Sequence, residues 1–171
     1  MTMKYSASTR GFYSADIHGE TIPSDAVDVS DADYVALFAA QSEGHSIQPG
    51  PGGAPISVAP PAPTIADQAI AAINAGCQIV STGTPALNGT YACDAESRAD
   101  IMAEMISLLA NSAFTNGTSS IVWTDASGTP HTFTVVTFRP FATALGAYVG
   151  ALKTIIASGA GSLPAQPVTI A

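Results

Sequence analysis

The proline run Pro60-Pro61-Ala62-Pro63 constrains the fold of this chain more than any other feature of the sequence. Consecutive prolines favour extended polyproline geometry, which has no internal hydrogen bonds and acts as a stiff spacer. We therefore predict an N-terminal module over 1–59 and a C-terminal domain over 77–157. A Pro-rich link with a short helix (60–76) joins them, and an extended tail (158–171) follows.

Charge is unevenly distributed between the two modules. The 171 residues contain 5 Lys and Arg against 13 Asp and Glu, which gives a net charge of −8, and seven of the acids precede residue 48. A nucleic-acid partner requires clustered Lys and Arg to neutralise phosphates, so we expect none. Two cysteines are too few for a disulfide scaffold. Cys77 and Cys93 could face each other across a hairpin, but a reduced pair is the better expectation.

The hydropathy of the chain raises the question of a membrane. Mean hydropathy is +0.30, and only 11% of residues are charged. The longest uncharged apolar stretch, Phe141 to Leu152, is shorter than the ~20 residues of a spanning helix, so we expect no membrane insertion. The low charge instead implies a largely uncharged surface, which fits a protein that lies against a partner. An Ala-rich, GC-biased proteome would give the same composition.

The first module is predicted to be β-rich with one helix. A strand at Met3–Ser8 precedes the aromatic pair Phe12-Tyr13, and Ser30 is placed to cap a helix over Asp31–Glu43 that ends at Gly44. Two short apolar runs around a Gly- and Pro-rich turn predict a hairpin of residues 46–48 and 56–58.

The second module is predicted to pack two helices on a small antiparallel sheet, which makes the fold class α+β. One helix spans Asp94–Leu109, and its apolar face is Ile101, Met105, Leu108 and Leu109. The other carries an apolar stripe at steps of three and four: Phe138, Phe141, Leu145, Tyr148, Leu152 and Ile155. With Thr137 as its N-cap, Pro140 lies in the first turn, where its missing N–H is tolerated. With Thr134 as N-cap, Pro140 would lie inside the helix and should kink it, so we predict Thr137 as the N-cap.

The sequence contains no recognisable catalytic constellation. His18, His45 and His131 are far apart and lack metal-ligand spacing, so each is expected at the surface or half-buried. The acids before residue 34 are explained by turns and by a helix N-terminus. Those of the Asp94 helix, including Glu104, are expected on a solvated face. We therefore expect no enzyme activity, no cofactor, no metal and no small-molecule substrate.

Several N-terminal segments resemble the first part of bacteriophage tail-fibre assembly proteins: Met3–Ser6, Gly11–Tyr13, Asp16–Gly19, Ile22–Val27 and the helix after Ser30. Those proteins often continue with a Gly-rich hairpin and a Pro-Pro-x-Pro link, as this chain does. They usually then carry a long Glu- and Lys-rich helix, whereas Ile65 to Asn74 is short and Ala-rich.

The second half resembles a family of unknown function found in phage and prophage tail-related proteins. The matching segments are Leu87–Asp94, Ile121–Asp125, Gly128–Thr134 and Phe141–Val149. The resemblance of the first module alone implies a small chaperone that binds the distal part of a trimeric tail fibre in the host bacterial cytoplasm and assists its folding or trimerisation. In some phages such a protein stays at the fibre tip.

A partner-binding surface follows from this resemblance and from the strands of the first module. We expect contact with the fibre through exposed aromatics and short edge-like strands: Tyr5, Phe12, Tyr13, Ile56 and Val58. An unassembled β-rich fibre exposes unpaired strand edges and apolar patches. A partner protein that adds a strand to such an edge, or covers such a patch, would protect the fibre from aggregation. The alternative function is a permanent virion component at the fibre tip, acting as an adaptor or contacting a receptor.

Overall fold

A computed structural model describes residues 3–171 and divides the chain into two compact units. Unit one reaches to Ala62 and unit two begins at Pro63, so the division falls inside the proline run. The helices and strands of unit one, in chain order, are β1 (Met3–Ser6), β2 (Gly11–Ser14), α1 (Ala15–His18), β3 (Val27–Val29), α2 (Asp31–Ser42), β4 (Ser46–Pro49) and β5 (Pro55–Val58).

Unit one builds a small core around its central strand. The first sheet has the order β2-β1-β3 with antiparallel pairing on both sides of β1, while β4 and β5 form a separate hairpin. Its buried hydrophobic side chains are Tyr5, Val29 and Leu37. The Ser30 hydroxyl accepts a hydrogen bond from the Asp33 amide at 3.1 Å and caps α2 as predicted.

The hairpin of unit one requires glycine at its turn. A Cβ on Gly50 would lie 2.6 Å from the Ile56 side chain, and Gly52 and Gly53 adopt positive φ. Glycine is the residue that reaches this backbone region without steric cost. The Gly- and Pro-rich segment is therefore a tight turn that brings β4 and β5 into register.

Unit two contains α3 (Ile65–Ala75), β6 (Cys77–Ser81), β7 (Gly89–Tyr91), α4 (Ala95–Asn111), β8 (Ser120–Thr124), β9 (Pro130–Thr134), α5 (Val135–Ser158) and β10 (Val168–Ile170). Its sheets are β10-β6-β7 and the hairpin β8-β9. The predicted α+β class is confirmed. The architecture adds a third helix, because α3 packs on α5, and a parallel strand pair, because β10 runs parallel to β6.

Aromatic rings fill the core of unit two around α5. Phe138 lies 5.3 Å from Phe114, 5.7 Å from Phe133 and 5.6 Å from Phe141 between ring centroids. The predicted stripe of α5 is buried along its whole length, together with Ala142 and Val149. Aromatic pairs at these separations stabilise a core beyond the area they bury.

Helix α5 begins three residues earlier than predicted. Thr134 is the N-cap and Thr137 occupies the third position of a capping box, in which each residue's side chain bonds the other's backbone. Pro140 therefore lies inside the helix, where it cannot donate to the carbonyl of Val136. The reciprocal cap and the buried aromatic face outweigh that lost bond.

The face of α4 also differs from the prediction. Ile101 and Leu108 are buried, whereas Leu109 is 75% exposed. Glu104, expected on the solvated face, is buried and accepts hydrogen bonds from the amide and hydroxyl of Thr115 at 2.8 and 2.5 Å. The carboxylate holds the loop after α4 in place through these hydrogen bonds. The helical periodicity of α4 does not predict this role, because the partner residue lies outside the helix.

The C-terminal segment is not the extended arm that the sequence predicted. The Gln166 side chain accepts from the Gln78 amide at 2.7 Å and donates to the Tyr148 hydroxyl. Strand β10 then pairs with β6 and buries Ile170. The compact unit therefore runs from Pro63 to Ala171, beyond residues 77–157, and its sheet takes a parallel edge strand from the tail.

The expectation that no apolar stretch is long enough to span a membrane is wrong for α5. Over its 24 residues, α5 is long and apolar enough to cross a membrane by length and composition. Arg139 and Lys153 interrupt its apolar run, so no uncharged stretch of the sequence covers the whole helix. The structure uses this helix as the core element of unit two, with eight buried side chains.

We predict that Phe138→Ala lowers the free energy of unfolding of unit two by about 3–5 kcal/mol, because it leaves a cavity among four aromatic rings. Trp123, the single tryptophan, packs on Phe138 at 5.8 Å, so its fluorescence during urea unfolding measures the loss. Val136→Ala is the matched control, because Val136 is 81% exposed and its truncation should change stability by less than about 0.5 kcal/mol. Equal effects of the two changes would contradict this account of the core.

We also predict that Ile170→Ala destabilises unit two by about 2–4 kcal/mol, because Ile170 is 5% exposed and packs in the core cluster. Thr169→Ala, one residue earlier on the exposed face of the same strand, is the control. The same tryptophan-monitored urea titration measures both variants. An unchanged midpoint for Ile170→Ala would mean that the tail contributes nothing to the fold.

Candidate functional site

The five predicted contact residues differ in their exposure to solvent. Tyr5 is fully buried, so the expectation that it touches a partner is wrong for the folded unit. Its ring packs against Phe12 at 5.0 Å in the core beneath the sheet. An aromatic residue on the central strand of a small sheet is the largest side chain available to fill that core, which is why Tyr5 is used structurally.

Phe12 and Tyr13 lie on β2, an edge strand of the three-stranded sheet. Phe12 is half-buried and packs on Tyr34 at 5.2 Å and Phe38 at 5.4 Å, with 41% of Phe38 exposed. The Tyr13 hydroxyl donates to Thr9 at 2.9 Å. The structure thus places an aromatic cluster beside a strand edge, the kind of edge to which an extended segment can add.

Ile56 and Val58 lie on β5, the second strand of the hairpin. Ile56 is 42% exposed and Val58 is half-buried. A surface cavity of about 300 Å³ opens beside Ile56 and is also lined by Val29 and Leu37. This hairpin therefore presents the apolar side chain of Ile56 at the surface of unit one.

Unit one also carries an exposed apolar patch that the sequence does not predict. Ile17 is 74% exposed and Val35 is 67% exposed, and both line a surface cavity of about 400 Å³ with Met3 and Ser14. The hydroxyl of Ser14 is buried in that wall and has no hydrogen-bond partner within residues 3–171. Ile17 belongs to a single helical turn, so no periodicity in the sequence distinguishes it from a core residue.

Asp25 organises the turn that presents β2. Its carboxylate accepts from the Ser8 amide and the Ser6 hydroxyl, both at 2.8 Å. These hydrogen bonds, the Ser8 amide first, lower the pKa of Asp25 below its usual value. The sequence predicts that the N-terminal acids lie in turns. Asp25 lies in such a turn, and its ionised carboxylate holds the β1–β2 connection through these hydrogen bonds.

Unit two contains one cluster with the residue types of a hydrolytic triad. His131 Nε2 lies 3.3 Å from Asp125, and its Nδ1 lies 2.7 Å from the carbonyl of Ala86. The Ser127 hydroxyl donates to Asp125 at 2.7 Å rather than to His131. Nucleophilic catalysis requires the hydroxyl on the imidazole, so this arrangement acts as a latch between the β8–β9 hairpin and the loop before β7.

His131 is buried, whereas the sequence predicts a surface or half-buried position for it. Trp123 and His131 are cross-strand partners in the β8–β9 register, and Asp125 follows two residues after Trp123. An acid and a histidine at the two ends of a hairpin turn are a usable sequence signal. Burial of the pair, with His131 only 7% exposed, depends on the loop before β7 and cannot be read from the hairpin alone.

The two cysteines are free and fully buried in unit two. Burial raises the pKa of the Cys77 thiol to about 12 and that of Cys93 to about 11. The thiolate is the reactive form of cysteine, so neither side chain is activated for nucleophilic or redox chemistry. Across residues 3–171, no group of three or more His, Cys, Asp or Glu side chains is arranged to hold a metal ion.

The latch predicts an acid-sensitive component of stability. The hydroxyl of Ser127, followed by the amide of Thr129 and by His131, lowers the pKa of Asp125 from 3.8 to about 2. A carboxyl with a depressed folded-state pKa stabilises fully above 3.8, and that contribution is lost as pH falls towards 2. We expect the urea midpoint of the wild type to fall more steeply than that of Asp125→Asn between pH 4 and pH 2.

Tryptophan fluorescence at pH 5, 4, 3 and 2 makes the measurement. Asp100→Asn is the control, because Asp100 is an exposed acid of α4 outside this cluster. It should keep the wild-type pH dependence. Parallel pH profiles for wild type and Asp125→Asn would contradict the latch.

Comparison with known proteins gives one family match and one informative relative. Residues 64–154, more than half of the chain, match the family described as a domain of unknown function, DUF4376. A protein of Shigella phage SfV named "Probable tail fiber assembly protein" is 44% identical over 64 residues, which cover 37% of this chain and 38% of that protein. The chain thus matches little more than a third of the relative's length. No solved structure matches the chain.

The family match falls within unit two and includes most of its core. It begins at Thr64, the N-cap of α3, and extends through α4, the β8–β9 hairpin and most of α5. The family description states no function, so the predicted association of this domain with phage tails is not tested by it. On the extent of this match, the chain belongs to the DUF4376 family.

Proposed function

We propose that this protein is a phage tail-fibre assembly protein, a chaperone that binds the distal tail fibre and assists its folding or trimerisation. The observation that carries the proposal is the 44% identity to the Shigella phage protein named as a probable tail fiber assembly protein. It acts in the cytoplasm of the infected bacterium, where fibres are made, and its role is assembly rather than catalysis.

The surface of unit one suits this role. Its edge strand β2 carries half-buried aromatics, its hairpin carries Ile56, and Ile17 and Val35 add exposed apolar area. Isolated apolar side chains at a surface are common, but clustered ones mark interaction sites. We assign fibre contact to Phe12, Tyr13, Ile56 and Val58, the predicted residues that retain surface in the folded unit.

The proposed mechanism is protection of unassembled β-structure. A fibre protein exposes unpaired strand edges and apolar faces until three chains come together, and such edges template aggregation. A short edge strand beside an aromatic cluster can pair with one of these edges through main-chain hydrogen bonds. Trimerisation of the fibre would then displace the chaperone by satisfying the same backbone groups internally.

The test is co-expression of the fibre protein with and without this chain. The expected result is a several-fold higher yield of soluble fibre trimer when the chain is present, measured by size-exclusion chromatography with light scattering. Equal yields in both conditions would overturn the chaperone role. Mass spectrometry of purified phage particles distinguishes a released chaperone from the alternative of a permanent component at the fibre tip.

We predict that Ile56→Asp abolishes most of the gain in soluble trimer, because a charge on the exposed apolar face of β5 opposes burial against the fibre. Ile70→Asp is the matched control, since Ile70 is 46% exposed in unit two and lies outside the proposed contact surface. Circular dichroism verifies that both variants fold. Equal loss of activity in the two variants would remove β5 from the site.

A further inference from the structure

Unit two carries a groove that its own fold leaves unfilled. The groove lies between α4 and α5 and has a volume of about 400 Å³. Its walls are mostly apolar, with Met102 and Met105 on one side and Gly146, Val149 and Gly150 on the other. Methionine is a flexible, polarizable side chain that adapts to the shape of a bound partner.

The two glycines keep the groove open. A Cβ added to Gly146 or Gly150 would meet no atom within 4 Å beyond the adjoining helix backbone, so packing within residues 3–171 does not require glycine there. Glycine in a helix interior is destabilising relative to alanine, because it loses more backbone freedom on folding. A residue that weakens α5 without serving its packing is consistent with a helix face that another molecule approaches closely.

A second observation concerns the exposed row on α4. Arg98, Met102, Met105 and Leu109 follow one another at i, i+4, i+7 and i+11, so they share one face of the helix. Met102 is 63% exposed and Leu109 is 75% exposed. The three apolar members of this row, Met102, Met105 and Leu109, lie beside an apolar groove, and such a surface is typical of one that is covered in a complex.

A third observation is the charge at one end of the groove. Arg98 lies in the first turns of α4 and Lys153 near the end of α5, and both line the groove. Phe114, just after α4, packs on Phe138 in the first turns of α5, so the helices run antiparallel and the two cations share one end.

These cations lack carboxylate partners. Arg98 donates from Nε to the backbone carbonyl of Asp94, and the Asp94 carboxylate is engaged by Ser97. Among residues 3–171, neither Arg98 nor Lys153 forms an ion pair. The chain has only five Lys and Arg against thirteen acids, so two unpaired cations at the mouth of an apolar groove are a strong local departure from its net charge.

We propose that the groove between α4 and α5 binds an apolar segment of the tail-fibre protein that carries an acidic side chain at one end. The apolar part of the segment covers Met102, Leu109 and the open backbone of Gly146, and its carboxylate meets Arg98 and Lys153. The proposal rests on the proposed function for the identity of the partner. It adds a second contact surface, on unit two, to the one assigned to unit one.

A second copy of the chain is a less suitable occupant. Symmetric pairing through this groove would bury the same two cations on both sides without supplying a carboxylate from the paired faces. Burying unpaired charge is costly, which opposes such a dimer. An acidic partner segment satisfies both cations and the apolar row together.

The test compares groove variants of the full chain in co-purification with a tagged fibre protein. Gly146→Leu fills the groove, and Ala147→Leu, an exposed neighbour that does not line it, is the matched control. We expect Gly146→Leu to reduce the bound chain about tenfold without lowering its thermal midpoint, because the site has free space. Ala147→Leu should bind as the wild type does.

The charge at the groove is tested in the same assay. Lys153→Glu should weaken binding several-fold, whereas Arg139→Glu, an exposed cation of the same helix outside the groove, should not. A photoreactive residue in place of Met102 should cross-link to a fibre segment that contains Asp or Glu. A cross-linked segment without an acid would overturn the charge assignment.

The outcomes separate this inference from the proposed function. If wild-type chain neither binds the fibre nor raises its soluble yield, both proposals fail. If wild type does both and Gly146→Leu binds as well as Ala147→Leu, the groove proposal alone fails. A wild-type dimer that Gly146→Leu converts to a monomer in light scattering would assign the groove to a second copy and overturn the fibre assignment.

Discussion

The packing of aromatic rings around Phe138 is the interaction on which unit two depends. Phe114 after α4, Phe133 on β9 and Phe141 on α5 itself all contact its ring, so one side chain joins α5 to the preceding strand and to the segment after α4. This contact keeps α5 in place although Pro140 interrupts its hydrogen bonds. It also explains why a helix apolar enough for a membrane is used as a protein core: its rings have specific partners on the surrounding helix and strands.

Unit one has a much smaller core, and this bears on its role. Its buried hydrophobic side chains are Tyr5, Val29 and Leu37, and the other apolar side chains packed on them are only partly buried. A domain of about 60 residues buries a modest fraction of its surface and is marginally stable alone. Apolar strand edges that are exposed to water do not stabilise the isolated unit. A β-rich partner that covers them would bury this apolar surface, as the proposed chaperone role requires.

Local signals predicted much of the fold because they depend on neighbouring residues. Ser30 before two acids identified the start of α2, and the stripe from Phe138 to Ile155 identified the buried face of α5. The predictions failed where two nearby residues suit the same role equally well and contacts outside the local pattern decide between them. Thr134 and Thr137 are both good caps, and the choice of Thr134 follows from a reciprocal hydrogen bond between them. Leu109 fits the α4 periodicity as well as Leu108 does, but no element of the described fold covers it.

The sequence by itself determined the division at the proline run, the α+β class and the amphipathic helices, because backbone preference and apolar periodicity are properties of adjacent residues. Only the tertiary structure decided that Tyr5 is a core residue, that the tail returns as β10, that Asp125 and His131 form a buried latch, and that α4 and α5 enclose an open groove. Each of these depends on which distant segment supplies the other half of a contact. That information lies in the three-dimensional arrangement of the chain, not in any local pattern.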